Sequence, residues 1–135
     1  MATFDEVMGV AKHLRKECPW DQKQTFESFH RYILEEAQEF ERAVPRQDIS
    51  DIKDELGDVF WNCCVLTTIA ESEGLFTMND LLAYIREKMM RRHPHVYGNE
   101  PKTLESIHQK WQEIKTMEKA EKAKRKNETS HARTK

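Results

Sequence analysis

Two short acidic segments hold the residues whose types and spacing could do chemistry. Glu36 and Glu39 are three residues apart in the first segment, as are Glu55 and Asp58 in the second. Residues at this spacing share one face of a helix. If the four carboxylates converge in a partly dehydrated site, they need a cation to stay ionised together. Oxygen ligands favour a hard cation, so we predict a site for Mg²⁺, with Mn²⁺ possible, at these four residues.

The first acidic segment lies within an apolar repeat. Phe26, Phe29, Ile33, Ala37, Phe40 and Val44 recur every three or four residues. This spacing predicts an amphipathic helix that ends at Pro45. At about 100° per residue, Glu36 falls at the edge of the apolar stripe, Glu39 falls next to it, and Glu35 points further out.

The second acidic segment begins a longer helix, expected over residues 48–73 and stopped by Gly74. Its second half, residues 59–70, is apolar on nearly all sides, which predicts the central helix of the fold. A polar line follows one face of it, formed by Asp51, Glu55, Asp58 and Asn62. Carboxylates on a buried helix are costly unless they are paired or bind a metal. The line therefore favours a site over a solvated surface.

The remaining patterns predict three further helices. The chain of 135 residues is 34% charged and 38% hydrophobic, with four Gly and four Pro. That composition suits a helical protein and argues against a sandwich or barrel. Cap motifs occur at Thr3, Thr77 and Thr103. We predict an all-α fold, an antiparallel bundle of about five helices in one domain.

Charge is distributed unevenly along the chain. From Glu118 onward there are seven Lys or Arg and three Glu, whereas the formal net charge of the whole chain is -2. We therefore predict a domain over residues 1–117 and a basic, frayed tail over 118–135. The acidic body is a poor surface for nucleic acid, so no nucleic-acid partner is expected.

The sequence lacks the apolar segments that are typical of membrane-spanning and secreted proteins. It has no apolar run near the roughly 20 residues that span a bilayer, and residues 1–16 have no signal-peptide core. Cys18, Cys63 and Cys64 lack metal-site spacing and are expected to be buried free thiols. We predict a cytoplasmic protein with no membrane partner.

The motifs in their order resemble the MazG family of nucleoside triphosphate pyrophosphohydrolases. The acidic pattern, Glu35-Glu36-x-x-Glu39 followed by Glu55-x-x-Asp58, is similar to the signature of that family. Three other segments resemble MazG segments in the same order: Cys18-Pro19-Trp20-Asp21 with Gln24-Thr25, Arg91-Arg92-His93-Pro94-His95-Val96, and Trp111-Gln112-Glu113-Ile114-Lys115. Together they cover nearly the whole chain to about residue 118.

The resemblance implies an all-α enzyme that cleaves a nucleoside triphosphate between its α- and β-phosphates, giving the monophosphate and pyrophosphate. It implies fairly broad use of ribo- and deoxyribonucleotides, and Mg²⁺ bound by the carboxylates that match Glu36, Glu39, Glu55 and Asp58. Members commonly form homodimers or homotetramers. Many carry two such domains in tandem, and this sequence shows one copy.

Roles for individual residues follow from the resemblance and from the chemistry. The expected catalytic residues are Glu35, Glu36, Glu39, Glu55 and Asp58. Glu35 would orient or deprotonate the attacking water, or hold a second metal. The expected nucleotide-binding residues are Trp20, Gln24, Lys88, Arg92, Trp111 and Lys115. Lys88 and Arg92 are one helical turn apart and would neutralise phosphates. Trp111 would stack on the base, although its place on an apolar stripe fits core packing equally well.

Three alternatives remain open at this point. A related all-α pyrophosphatase with narrow specificity, for dUTP, dCTP or a modified nucleotide, would carry similar acidic helices. A di-iron carboxylate bundle is suggested by Glu27-x-x-His30 and Glu105-x-x-His108, but helical projection turns both motifs away from their apolar stripes. A non-enzymatic helical interaction module would leave the acidic line unexplained.

Overall fold

The computed structural model of the chain describes residues 1–133. Within them, the regular secondary structure consists of helices joined by loops and turns. The α-helices are α1 (Phe4–Glu17), α2 (Pro19–Gln22), α3 (Phe26–Ala43), α4 (Ile49–Ser72), α5 (Met78–Arg91), α6 (Pro94–Tyr97) and α7 (Leu104–Arg133). A 3₁₀ turn, Val44–Arg46, follows α3. The predicted all-α class is confirmed. The five long helices match the five predicted ones, and α2 and α6 are additional single turns that each begin at a proline.

Local sequence signals set the helix ends. Thr3 and Thr25 each form a reciprocal capping box at the start of α1 and α3. The side chain of Asp48 accepts hydrogen bonds from two main-chain N–H groups and begins α4. Gly74, at a φ of 70°, follows the end of α4, where a left-handed conformation favours glycine.

The chain divides into two compact units, the first comprising Met1–Leu81 and the second beginning at Leu82. In the first unit, α4 packs against both α1 and α3, which confirms its predicted central place. One buried cluster joins α1 to α4 through Met8, Ala11 and Cys64. A second joins α3 to α4 through Phe29, Val65 and Ile69.

The second unit contains most of α5, with α6 and α7. Arg91 and Arg92, at the end of α5, both donate hydrogen bonds to the carboxylate of Glu118 on α7. Helix α7 runs without interruption through residue 117, where the sequence suggested a domain boundary, and continues to Arg133. The part of the expected tail that the structure describes is therefore helical, because Lys, Ala and Glu in this segment are strong helix formers.

Two further expectations concern membranes and cysteines. Across the described part of the chain, the helices are all too short or too polar to cross a bilayer. Cys64 is buried and Cys18 is partly buried, as expected for unpaired thiols. Cys63, however, is exposed, so the prediction that it is buried was wrong. Adjacent residues on a helix point in directions about 100° apart, and α4 is covered on only part of its circumference.

Candidate functional site

The antiparallel pair of α3 and α4 brings carboxylates from both helices together. Phe29 on α3 packs against Val65 and Ile69 on α4. Seven residues further along α3, Glu36 lies opposite earlier residues of α4, because the two helices run in opposite directions. Carboxylate oxygens of Glu36, Glu55 and Asp58 lie within 4.8 Å of one another. The tertiary structure thus unites three of the four predicted ligands.

The three carboxylates lack an ion-pair partner among the residues that the structure describes. None of the ion pairs within the described residues includes Glu36, Glu55 or Asp58. Loss of hydration, and then the charge of Asp58, raises the pKa of Glu36. Loss of hydration, and then the charge of Glu39, raises the pKa of Glu55. Both shifts mean that the site disfavours its own negative charge and would gain from a bound cation.

Glu39, the fourth predicted ligand, lies beside this cluster but outside it. Its carboxylate is exposed and accepts a hydrogen bond from Arg42 at 2.6 Å, one turn along α3. Glu39 is nevertheless the charged neighbour with the largest effect on the pKa of Glu55. Glu35 is exposed as well, and its charge contributes to the raised pKa of Glu36.

Asp54 is an acidic neighbour that the sequence analysis did not single out. Its charge raises the pKa values of both Glu36 and Glu55. The signal was present in the spacing, because Asp54 precedes Asp58 by one helical turn and therefore points in nearly the same direction. The acidic surface is wider than the four-residue motif.

Trp20 and Gln24, two predicted nucleotide-binding residues, lie just before α3, the first in α2 and the second in the loop between α2 and α3. Trp20 is 52% exposed, and its ring lies 6.2 Å from that of Phe29 and 6.3 Å from that of Tyr32. Tyr32 precedes Glu36 by one turn of α3, so this aromatic cluster is connected to the carboxylates along one helix face. Gln24 is buried, donates to the Trp20 main-chain oxygen at 3.0 Å and accepts from Ser28 at 2.8 Å. The side-chain amide of Gln24 is therefore engaged in hydrogen bonds that connect Trp20 to Ser28.

Arg15 positions that loop and was missed by the sequence analysis. Its guanidinium donates to the main-chain oxygens of Asp21 and Gln24 and to the Ser72 hydroxyl. It thereby joins α1, the Trp20 segment and the end of α4. No motif or periodicity indicated this, because its three acceptors belong to separate parts of the chain.

The predicted phosphate-binding cations lie in the second unit. Lys88 on α5, Arg92 immediately after it and Lys115 on α7 line a groove of about 660 Å³ between these helices. The groove also contains Tyr84, Glu118, Lys119 and Lys122. Lys88 lies over the Tyr84 ring, with its Nζ 5.5 Å from the ring centre. The groove is rich in cations, which suits a phosphate group.

Arg92 is held on two sides within this unit. Its Nη2 lies 2.8 Å from Glu118 Oε1, and its guanidinium carbon lies 5.1 Å from the centre of the Trp111 ring. The rings of Trp111 and His93 form a T-shaped pair, at 5.3 Å between ring centres. Trp111 is only partly buried, so the structure leaves both of its predicted roles open. Glu118, the first residue of the predicted tail, pairs with both Arg91 and Arg92.

The di-iron alternative receives no support from the arrangement. Glu27, His30, Glu105 and His108 are all exposed, as helical projection indicated. Among the residues that the structure describes, the one group of side chains positioned to hold a metal consists of three carboxylates without histidine. Such a donor set favours a hard cation over iron bound by histidine.

Comparison with known sequences identifies similar proteins. Residues 24–97 match the profile of the MazG nucleotide pyrophosphohydrolase domain. The chain is 38% identical over 127 residues to the nucleoside triphosphate pyrophosphohydrolase of Escherichia coli K12, covering 91% of this chain and 48% of that protein. It is 37% identical over 121 residues to the nucleoside triphosphate pyrophosphohydrolase/pyrophosphatase MazG of Thermotoga maritima, covering 88% and 46%. The chain thus spans about half the length of these curated relatives.

Comparison with solved structures agrees on the fold. The crystal structure of a mazG-related protein from Thermotoga maritima superposes with a TM-score of 0.74 and 22% sequence identity. The match covers 83% of this chain and 98% of that one. At this level of identity the likeness supports the helical architecture alone.

Proposed function

The chain belongs to the MazG nucleotide pyrophosphohydrolase domain family, and we propose that it hydrolyses nucleoside triphosphates between the α- and β-phosphates. The products would be a nucleoside monophosphate and pyrophosphate. The observation that carries the proposal is the convergence of Glu36, Glu55 and Asp58 from two antiparallel helices, with no ion pair to them from the described residues. Phosphoryl transfer depends mainly on positioning and on charge neutralisation, and this cluster can provide both by holding a metal ion.

The residues of the cluster fit Mg²⁺, with Mn²⁺ as a substitute. All three are oxygen donors, and the fourth carboxylate, Glu39, lies close enough to raise the pKa of Glu55. Its ion pair with Arg42 is on the surface, where such pairs contribute about 0–1 kcal/mol, so Glu39 can exchange this partner for a metal. When bound, the cation would neutralise phosphate oxygens and lower the pKa of a water molecule.

The protein side chains supply the remaining functions. Glu35 is exposed beside Glu36 and is proposed to orient the attacking water and accept its proton. Lys88, Arg92 and Lys115 are proposed to neutralise phosphate charge from their groove in the second unit. The exposed ring of Trp20 offers a stacking surface for the base. Gln24 helps to position this residue by donating a hydrogen bond to the Trp20 main-chain oxygen.

A second copy of the chain is the proposed partner. On α4, the face opposite the carboxylates presents Ile49, Leu56 and Phe60, which are 74%, 52% and 45% exposed. These residues lie within about 40° of one another around the helix, so they form a continuous apolar stripe. A contiguous exposed apolar surface on a helix is typical of a subunit interface. We propose a homodimer or homotetramer assembled through this stripe.

Product analysis tests the proposed reaction. The protein is incubated with a panel of ribo- and deoxyribonucleoside triphosphates, with Mg²⁺ or with EDTA, and the products are separated by anion exchange. The expected result is monophosphate and pyrophosphate with Mg²⁺ only, formed from several bases. Diphosphate and orthophosphate would contradict cleavage at the α–β position. Turnover confined to a single base would replace broad specificity with the narrow alternative, and no turnover by a folded, metal-loaded sample would favour an interaction module.

A further inference from the structure

Asn62 has a buried side-chain oxygen that receives no hydrogen bond from the described residues. The side chain is only 6% exposed. Its Nδ2 donates to the main-chain oxygen of Asp58 at 2.8 Å. No donor in the described chain reaches its Oδ1. Because a carbonyl oxygen can only accept, the amide orientation is fixed, and Oδ1 is the atom that remains unpaired.

The other polar side chains in the buried half of α4 are satisfied locally. Thr67 donates to the Cys63 main-chain oxygen at 2.8 Å, and Thr68 donates to that of Val65 at 2.7 Å. An unpaired buried acceptor destabilises a fold, because it loses its hydrogen bonds to water without gaining a replacement. Asn62 therefore differs from Thr67 and Thr68. Its unpaired oxygen would be stabilised by a donor from outside the described residues.

Asn62 shares the helix face that carries the carboxylates. It follows Asp58 by four residues and Glu55 by seven, which places it about 40° from the first and about 20° from the second around α4. Side chains on a helix lean toward its N-terminus, so Asn62 leans toward Asp58. In the other direction, Val65 belongs to the buried apolar cluster with Phe29 and Ile69. Asn62 thus lies at the boundary between the carboxylate cluster and the core.

We propose that Asn62 is a positioning residue for the cation site, its Oδ1 accepting a hydrogen bond from a water molecule held there. This inference rests on the proposed cation site. Water polarised by a divalent cation is a strong donor, and Mg²⁺ retains several of its waters in proteins. At the same time, Nδ2 holds the main chain of Asp58, so one amide connects the water network to the helix that carries two of the ligands.

Substitutions of Asn62 should affect metal affinity and the stability of the metal-free fold in different directions. Asn62→Leu keeps the approximate size but removes the buried acceptor, so the metal-free protein should melt at the same temperature or higher. Its dissociation constant for Mn²⁺ should increase about 10- to 100-fold, as is typical for loss of a group that supports metal ligands. Asn62→Asp keeps the acceptor oxygen and adds a like charge. It should lower the melting temperature without metal, yet bind Mn²⁺ as tightly as the wild type or more tightly.

The experiment uses the full chain and Mn²⁺ alone as the probe. Electron paramagnetic resonance of free Mn²⁺ gives the dissociation constants, and circular dichroism in EDTA gives the melting temperatures. Thr67→Val is the matched control, since it removes a buried polar group that is already paired, and it should leave Mn²⁺ affinity unchanged. If Asn62→Leu does not fold, Asn62→Ala carries the same expectation for affinity.

The outcomes distinguish this inference from the proposed function. If the wild type does not bind Mn²⁺, the cation site itself is refuted, and the inference with it. If the wild type binds and Asn62→Leu binds equally well, the role of Asn62 is refuted and the cation site stands. Equal loss of affinity in Asn62→Leu and Asn62→Asp would show that the acceptor oxygen is irrelevant, which also refutes the inference.

Discussion

Carboxylates in the two units of the chain have opposite surroundings. In the second unit, Glu118 accepts hydrogen bonds from Arg91 and Arg92, and the bond from Arg92 is the main cause of its lowered pKa. In the first unit, Glu36 and Glu55 lie beside Asp58 with no basic partner in the described chain, and burial raises their pKa values. The charge of Glu118 is compensated by two arginines, whereas no described basic side chain pairs with Glu36, Glu55 or Asp58.

The same contrast applies to apolar surface. In the first unit, Met8, Ala11 and Cys64 are buried between α1 and α4, while Leu56 and Phe60 on α4 remain 52% and 45% exposed. Helix α4 therefore presents a cluster of carboxylates on one face and exposed apolar side chains on another. Both features destabilise the isolated chain, so they are best explained by binding.

The largest expected effect is on turnover. Glu55→Gln should lower the rate of triphosphate hydrolysis by more than the roughly 100-fold associated with groups that only support metal ligands, because it removes a ligand itself. Asp58→Asn should do the same, and Glu39→Gln somewhat less, since Glu39 lies outside the converged group. Pyrophosphate release with Mg²⁺ is the measurement. Glu41→Gln, an exposed carboxylate on α3, is the matched control, and an equal loss in it would show that only overall charge matters.

The next effect is on assembly. A double substitution, Leu56→Glu with Phe60→Glu, places charges on the exposed apolar stripe and should convert the proposed oligomer to a monomer. Light scattering coupled to size-exclusion chromatography gives the mass directly. Val10→Glu, an exposed apolar position on α1 outside the stripe, is the control and should keep the wild-type mass. A wild-type mass in the double variant would exclude this stripe as the interface.

The third effect is on stability, because the charge of Glu118 should stabilise the fold at pH 7. Glu118→Gln removes the charge that binds both arginines, so the melting temperature at pH 7 should fall by a few degrees. Since the pKa of Glu118 is lowered by folding, its stabilisation is present above the unfolded value of about 4.3 and is lost as pH falls through the folded value. The difference between variant and wild type should therefore shrink below about pH 4. A difference that persists unchanged at pH 3 would indicate that packing, and not charge, is responsible.

The uncompensated carboxylates predict the opposite pH dependence, with a smaller effect. Because folding raises the pKa values of Glu36 and Glu55, these two groups do not destabilise the metal-free fold at low pH, where they are protonated, and they destabilise it as pH rises toward and through their folded pKa values. Mg²⁺ competes with protons for these groups, so the rise in melting temperature caused by Mg²⁺ should be larger at pH 8 than at pH 5. An equal rise at both pH values would place the bound Mg²⁺ elsewhere. Glu55→Gln should melt higher than the wild type in EDTA at pH 7.

Local sequence alone determined the helices of this protein and the candidate chemistry. Apolar spacing, prolines and capping residues act within a few residues of one another, which is why α1, α3, α4, α5 and α7 began near the predicted positions. The spacing of Glu55 and Asp58 likewise placed both carboxylates on one face before any tertiary contact was known.

Tertiary structure decided which groups meet. The register of α3 against α4, set by Phe29 packing on Val65 and Ile69, selected Glu36 as the third member of the cluster and left Glu39 with Arg42. The partners of Glu118 lie 26 and 27 residues away, too distant in sequence for any local pattern. Contacts of this kind depend on how complementary surfaces pack, and a single sequence records no pairing between them.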